Sequence, residues 1–436
     1  MNFLKALLLC ILSLFTALFV WAEDSSDALP LLWSEGHKAN VEMALSLRET
    51  PELIAMRKEV IGLYENTSSG RLADGKARIE AAVDELIFGV ILTTITPDPA
   101  HPAIVWNETL PYTAAGIQVP GSRYAGDMPD RLYRNIVVDP SCRYELRGRL
   151  DGETTLDFSI EALPGPANWG LPPLAILQSK DIVVGDDGSF TITLDASPPR
   201  GRINHLQLPP GTISLLVRDT LLQWDKQKPV VFDVHGLDES APLSSASMVN
   251  HAADQLRQSA EVSMGFYEAI WQRAANTLDP YVRDLGWGIV AINRFQIADD
   301  EALVVILDPL SARYLSLQVD DLWLRSTDYV THTSTLNNAQ AKPNHDGTFT
   351  FVVAKRDPGY FNWIDTDGMN DGYLIGRWEL LTHVTTGENA VREVRKVKLA
   401  ELGAILPEDV FQVSPNERAA QIGARKTAYQ LRLGKY

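Results

Sequence analysis

Asp187-Gly188-Ser189-Phe190-Thr191-Ile192-Thr193-Leu194 returns later in the chain as Asp346-Gly347-Thr348-Phe349-Thr350-Phe351-Val352-Val353. Each copy opens on a dipeptide that tolerates the positive φ of a tight hairpin turn. In the first copy Phe190, Ile192 and Leu194 then alternate with threonines, as in a strand with one buried face. The likeness continues outward. Asn204 and Arg218 follow the first copy, and Asn362 and Arg377 follow the second at nearly equal spacing. Upstream, Asp139-Pro140 and Arg143-Tyr144 are echoed by Asp308-Pro309 and Arg313-Tyr314. The pattern predicts one β-unit present twice, the product of an internal duplication.

Around these copies lie many short β-prone runs. Ile136-Val137-Val138, Tyr144-Glu145-Leu146, Leu156 to Ile160, Ile213 to Val217 and Val230 to Val234 serve the first unit. Val304 to Leu307, Tyr314 to Leu317 and Tyr373 to Ile375 serve the second. Short antiparallel strands at close spacing argue for sandwiches rather than for a parallel α/β sheet. Helical patterns flank them. Thr50-Pro51-Glu52 has a capping residue, a proline at the first helical position and an acid in the first turn. From Arg71 to about Leu92, the residues Ile79, Val83, Leu86, Ile87 and Val90 keep helical spacing. A second stretch, about Ser247 to Asn276, carries Val249, Leu256, Phe266, Ile270 and Trp271. A third begins at Pro415 and bears Arg418, Arg425, Lys426, Arg432 and Lys435. The predicted class is mainly β with helical additions, as two tandem jelly-roll-like β-sandwich units. The predicted boundaries are a signal peptide over 1–22, a helical region over 23–98 and a first sandwich over 99–238. A helical connector over 239–285, a second sandwich over 286–390 and a helical tail over 391–436 follow.

The chain has 436 residues, 45% hydrophobic and 22% charged, with a net charge of −17. That is an ordinary globular composition, long enough for two cores. So acidic a chain repels nucleic acid and anionic lipid surfaces. Lys5, the apolar run Ala6 to Ala22 and the Val20-Trp21-Ala22 end before Glu23 read as a secretion signal, with a retained N-terminal anchor as the alternative. The expected location is periplasmic or secreted, with no membrane contact beyond that segment. Beyond the signal only Cys142 is left, so no intramolecular disulfide can form. It reads as a buried thiol.

The usual catalytic strings are absent: no Gly-x-Ser-x-Gly, no His-Glu-x-x-His, no phosphate-cradling glycine loop and no Cys-x-x-Cys. The sequence names no cofactor and no metal set. The densest polar and aromatic cluster runs from Arg356 to Trp378. It reads first as an Asx-rich turn whose side chains bond the loop backbone. Alternatively it binds a neutral polyol, with Trp363 stacking on a sugar face and Asn362, Asp365 and Arg377 holding hydroxyls. A calcium loop from Asp365, Asp367, Asn370 and Asp371 is the third reading, and its spacing is not that of an EF-hand. A second cluster joins Asp321 and Trp323 to Arg325, Asp328, Tyr329 and His332; it reads first as solvated loop polar groups, since no nucleophile or metal set comes with it, and alternatively as an acid–base pair. His205 and His235 read as hydrogen-bonded core histidines.

These same stretches resemble a widespread bacterial family, the domain of unknown function numbered twelve-fourteen. The likeness is carried by Trp323, Asp328-Tyr329, Leu336 to Ala341 and Arg356-Asp357-Pro358-Gly359. Asn362-Trp363-Ile364-Asp365-Thr366, Gly372, Arg377-Trp378 and the upstream Gly126 to Arg134 complete it. The chain departs from the family pattern at Asp367 and Asp371, where its loop is more acidic. The resemblance implies jelly-roll-like sandwiches. It implies no accepted activity and no catalytic residue. The leading expectation is therefore recognition of a small neutral ligand or glycan at the loop end of the second unit, by Asn362, Trp363, Asp365, Arg377, Trp323 and Asp321. A carbohydrate-active hydrolase or lyase using Asp365 or Asp321 is one alternative. A structural or assembly protein of the envelope is the other.

Overall fold

The computed structural model describes residues 32–433 apart from 153, 166–171, 284–286 and 384–385. The segment 1–22, expected to be a signal peptide, lies outside the described residues. The described residues open with α1 (Glu35–Leu47), α2 (Pro51–Glu65), α3 (Ala73–Lys76) and α4 (Ile79–Thr94). Pro51 stands at the start of α2 with Glu52 in its first turn, as its sequence requires. α4 is apolar on nearly every side and is buried along its length, as such a helix must be.

The first unit follows. Its strands are β1 (Ile104–Asn107), the small hairpin β2 (Tyr112–Ala114) and β3 (Ile117–Val119), β4 (Arg131–Val137), β5 (Tyr144–Arg149) and β6 (Asp157–Leu163). β7 (Ala175–Gln178), β8 (Ser189–Asp195), β9 (His205–Gln207), β10 (Ser214–Thr220) and β11 (Val231–Gly236) complete it. The connector is α5 (Ser245–Trp271), started by Ser244, whose side chain accepts from Ser247 N–H. The second unit has β12 (Pro280–Val282), β13 (Ile289–Gln296), β14 (Glu301–Leu307), β15 (Ala312–Asp320) and β16 (Thr335–Asn337). It ends with β17 (Phe349–Ala354), β18 (Trp363–Asp365), β19 (Asp371–Leu381) and β20 (Val391–Lys398). Two helices close the chain, α6 (Leu402–Ile405) and α7 (Pro415–Arg432).

The protein is mainly β with helical additions, in two sandwiches. In the first, a sheet ordered β1-β4-β10-β6-β7 faces one ordered β11-β5-β8-β9. In the second, β12-β13-β19-β15-β16 faces β18-β17-β14-β20. The two orders are the same strand for strand, and β8–β9 and β17–β18 are parallel pairs at the same place. Asp187-Gly188 precedes β8 and Asp346-Gly347 precedes β17, with Gly188 at φ 79° and Gly347 at φ 84°. Leu146, Ile160, Ile192 and Leu215 fill the first core; Val305, Leu317, Phe351 and Trp378 fill the second. Helices α1, α2, α4 and α5 pack together and cover the outer face of the second five-stranded sheet through Val290, Ile292, Tyr373 and Ile375.

Several expectations need correction. Asp139-Pro140 lies between β4 and β5, whereas Asp308-Pro309 lies between β14 and β15. Because β5 corresponds to β14, the two dipeptides are one strand out of step. Asp-Pro favours a turn wherever it occurs, so its recurrence does not mark equivalence. The tail does not turn helical at 391. Val391, Val394 and Val397 have a helix-like spacing, but β20 pairs with β14 through a register shift at Ile306/Leu307. The connector ends before 285, because β12 already belongs to the second unit's sheet. His205 is buried and bonded to Thr193, as expected, but His235 is half exposed on the edge strand β11 beside Asp233. Among the described residues no helix is long and apolar enough to cross a membrane.

Candidate functional site

The β15–β16 loop and the β18–β19 loop emerge at the same end of the second unit. They touch where Asp365 N–H donates to Thr333 C=O. The β15–β16 loop is shaped by Asp321, whose Oδ1 accepts from Trp323 N–H at 2.9 Å and Arg325 N–H at 3.2 Å. Its Oδ2 holds the Arg325 guanidinium by Nε at 3.0 Å and Nη2 at 2.7 Å. Arg325 Nη1 donates onward to Glu85 on α4 at 2.8 Å, and Glu85 also grips Arg123 at both oxygens, 2.9 and 2.6 Å. Two acids and two arginines thus form one buried, charge-balanced chain. Burial opposes the charge of Arg325, but Asp321 and then Glu85 outweigh it and hold that group above its ordinary range. Arg123 is raised in the same way by Glu85.

This chain floors a cleft of about 690 Å³, within the roughly 300–1,000 Å³ of small-molecule sites. One wall is Trp106, Leu110, Pro111 and Tyr112, ahead of and within the β2–β3 hairpin. The second is the loop residues Thr327, Asp328, Val330 and Thr331. The third is α7 with the residue after it, through Lys426, Tyr429 and Leu433. Arg78 and Asp367 stand at the side, their charged groups 3.5 Å apart. Asp328 is capped by Val330 N–H, Thr331 N–H and the Thr331 hydroxyl. Burial would raise it, yet these bonds hold it below the usual carboxylate range. Next to the cleft, His332 Nδ1 lies 2.7 Å from Asp365 Oδ2. That hydrogen bond lifts the half-buried imidazole above its ordinary value.

Of the six residues expected to bind ligand, Asp321 alone lines the cleft. Asn362 is a backbone clamp: its side chain donates to Lys342 C=O and Thr350 C=O and accepts from Lys342 N–H. Asn204, its counterpart, does the same to Val183. Trp363 is 9% exposed, donates to Ala354 C=O and is covered by Arg418 at 5.1 Å, so no sugar face can stack on it. Trp323 is fully buried, stacked on Tyr64 with its indole N–H on Gly75 C=O. Arg377 is buried beneath the sheet, bonded to Gln318 and to Gly126 C=O. Asp365 accepts from His332 and from Asp367 N–H. The calcium reading does not survive this geometry. Asn370 points to Lys355, Asp299 and Ile297, and Asp371 to Gln296, so the loop oxygens do not converge.

Glu85, Arg123, Tyr112 and Tyr429 escaped the sequence reading. Glu85 carries the one available signal, a carboxylate inside an apolar helix that must find a cation to be buried.

No family model and no curated protein matches the chain. Among solved structures, an uncharacterised protein from Burkholderia cenocepacia is similar over 83% of this chain and all of its own, with a TM-score of 0.69 and 24% identity. A Vibrio parahaemolyticus protein matches over 82% of this chain and all of its own at 11% identity and a TM-score of 0.41. The first shows the fold and nothing about activity.

Proposed function

We propose that the protein recognises a small ligand of little net charge, of the polyol or glycan kind, in the cleft at the loop end of the second unit. The observation that carries this is the lining: aromatic walls from Trp106, Tyr112 and Tyr429 over a floor whose charges are already paired. A floor with balanced charge has no strong field for an ion, while aromatic walls suit the C–H face of a sugar. An exported location, periplasmic or secreted, belongs to the same proposal and rests on the apolar run before Glu23. So does membership of the twelve-fourteen family, on the strings around Trp323 and Trp363. Exchange of backbone amides for deuterium tests the site. With a bound neutral oligosaccharide, segments 326–331 and 426–433 should gain protection. A screen that finds no binding glycan, or protection confined to other segments, would overturn the reading.

One observation favours a hydrolytic alternative, the His332–Asp365 pair. A histidine oriented by a carboxylate can act as a general base. Asp321 does not serve, since both its oxygens are bonded to Arg325 and the loop backbone. Release of reducing ends from a bound glycan by wild type, abolished in His332→Gln, would support this alternative.

A further inference from the structure

A second pocket, of about 540 Å³, lies where the end of α4 and the first turns of α5 meet the first sandwich. Its size falls within the roughly 300–1,000 Å³ of small-molecule sites. It shares no residue with the cleft of the second unit. Its walls are pinned by Leu243 N–H on Pro97 C=O at 2.8 Å and by Val138 N–H on Ile213 C=O at 3.0 Å. Most of the lining is aliphatic, with Ile95, Val137, Ile213, Leu243 and Met248. No Phe, Tyr or Trp lines it among the described residues, so the stacking surface that suits a sugar in the cleft is not offered here.

The polar groups of this pocket are mostly acceptors. Thr94, Thr96 and Thr212 spend their hydroxyl protons on Val90, Asp98 and Pro209 C=O, so what they have left is lone pairs. Asp139 Oδ1 accepts from Ser141 N–H at 2.8 Å and from the Ser141 hydroxyl at 2.7 Å. Its Oδ2 has no hydrogen bond or ion pair among the described residues. The cations closest to it along the chain are engaged elsewhere, Arg143 on Asp238 and His101 on Asp98. His251, on α5, also lines the pocket, and burial holds its imidazole below the ordinary value, in the neutral form that keeps one nitrogen as an acceptor. Asp254, one turn on, faces Arg257. The end of α4 and the start of α5 bring partial charges of opposite sign, which offset each other. No Lys or Arg lines the pocket among the described residues. Asp139 therefore sets its sign.

We infer that this pocket binds a small aliphatic primary amine, its ammonium group on Asp139 and its chain against Ile95, Ile213 and Met248. An ammonium brings three donors and no acceptor, which matches a pocket of lone pairs with one unpaired carboxylate. The inference does not depend on ligand recognition in the cleft. The test titrates the full chain calorimetrically with hexylammonium, methylammonium, hexanol and hexanoate at matched ionic strength. Methylammonium has the charge without the chain, hexanol the chain without the charge, and hexanoate the opposite charge. Saturable binding of hexylammonium is expected, about tenfold or more tighter than any of the other three. The Met248 methyl signal in 13C-methionine spectra should shift along the same saturation curve, which places the amine in the pocket. Asp139→Asn keeps an oxygen for Ser141 and removes the charge, so it should melt as wild type does and bind hexylammonium about tenfold more weakly. Should that variant not fold, the contrast of hexylammonium with hexanol on wild type decides. No saturable binding of hexylammonium, equal binding of hexanol or hexanoate, an unmoved Met248 signal, or wild-type affinity in a folded Asp139→Asn would overturn the inference.

Discussion

Glu85 sits on an apolar helix and holds two arginines that shape the floor of the cleft. Its removal leaves buried guanidinium groups with unmet charge. Glu85→Ala should therefore destabilise the protein by about 3–5 kcal/mol, read by urea denaturation. A loss near zero would mean that the network does not hold the floor. Asn362 and Asn204 make a matched pair of predictions. Each clamps a loop backbone, so alanine at either should cost about 1–3 kcal/mol, and Asn362→Ala should leave ligand affinity per folded molecule unchanged. At His332 the pH dependence has a definite sign. Its folded-state value is raised by Asp365. The stabilisation from the pair is therefore complete below the unfolded value of about 6.5 and is lost as pH rises through the higher folded value. The gap in urea midpoint between wild type and His332→Gln should shrink from pH 5 to pH 8. A constant gap would remove the pair from the account.

Among the elements, α7 shows best where the sequence was readable and where it was not. Its start was legible: Ser414 and Glu417 form a capping box around Pro415. Its orientation was not. Arg418, Arg425 and Arg432 recur at heptad spacing, and all three are buried. Arg418 covers Trp363 and bonds to Asp357, while Arg425 and Arg432 lie over Trp224 at 4.5 and 4.6 Å. Arginine can dock a helix on aromatic rings and carbonyl groups, which no periodicity rule anticipates. Arg425→Ala should therefore loosen the helix, raising amide exchange over 415–432 and opening the cleft wall at Tyr429. Unchanged exchange there would show that the helix docks by other contacts. The Trp363 loop failed for a related reason. A polar aromatic string looks like a binding surface until the partner that covers it, from a distant part of the chain, is known.

At the scale of the molecule, the hairpin signals at Asp187-Gly188 and Asp346-Gly347 led to two sandwiches of identical strand order. Local turn chemistry and strand alternation are written within a few residues, which is why they could be read. The cleft is assembled from a hairpin near Tyr112, a loop near Asp328 and a helix near Tyr429, far apart in sequence, and no local pattern links them. The shared order of the two units places Asn204 and Asn362, and Arg218 and Arg377, at corresponding positions. The matching clamp at Asn204 marks Asn362, expected to bind ligand, as a residue that holds its own loop.

The most direct test of ligand recognition in the cleft is a calorimetric titration of neutral oligosaccharides into wild type, Tyr429→Ala and Trp363→Phe. The account predicts saturable binding by wild type, an affinity roughly 3- to 10-fold weaker in Tyr429→Ala from the loss of one aromatic contact, and wild-type affinity in Trp363→Phe. Binding that Tyr429→Ala leaves intact and Trp363→Phe abolishes would contradict it, as would a wild type that binds none of the panel.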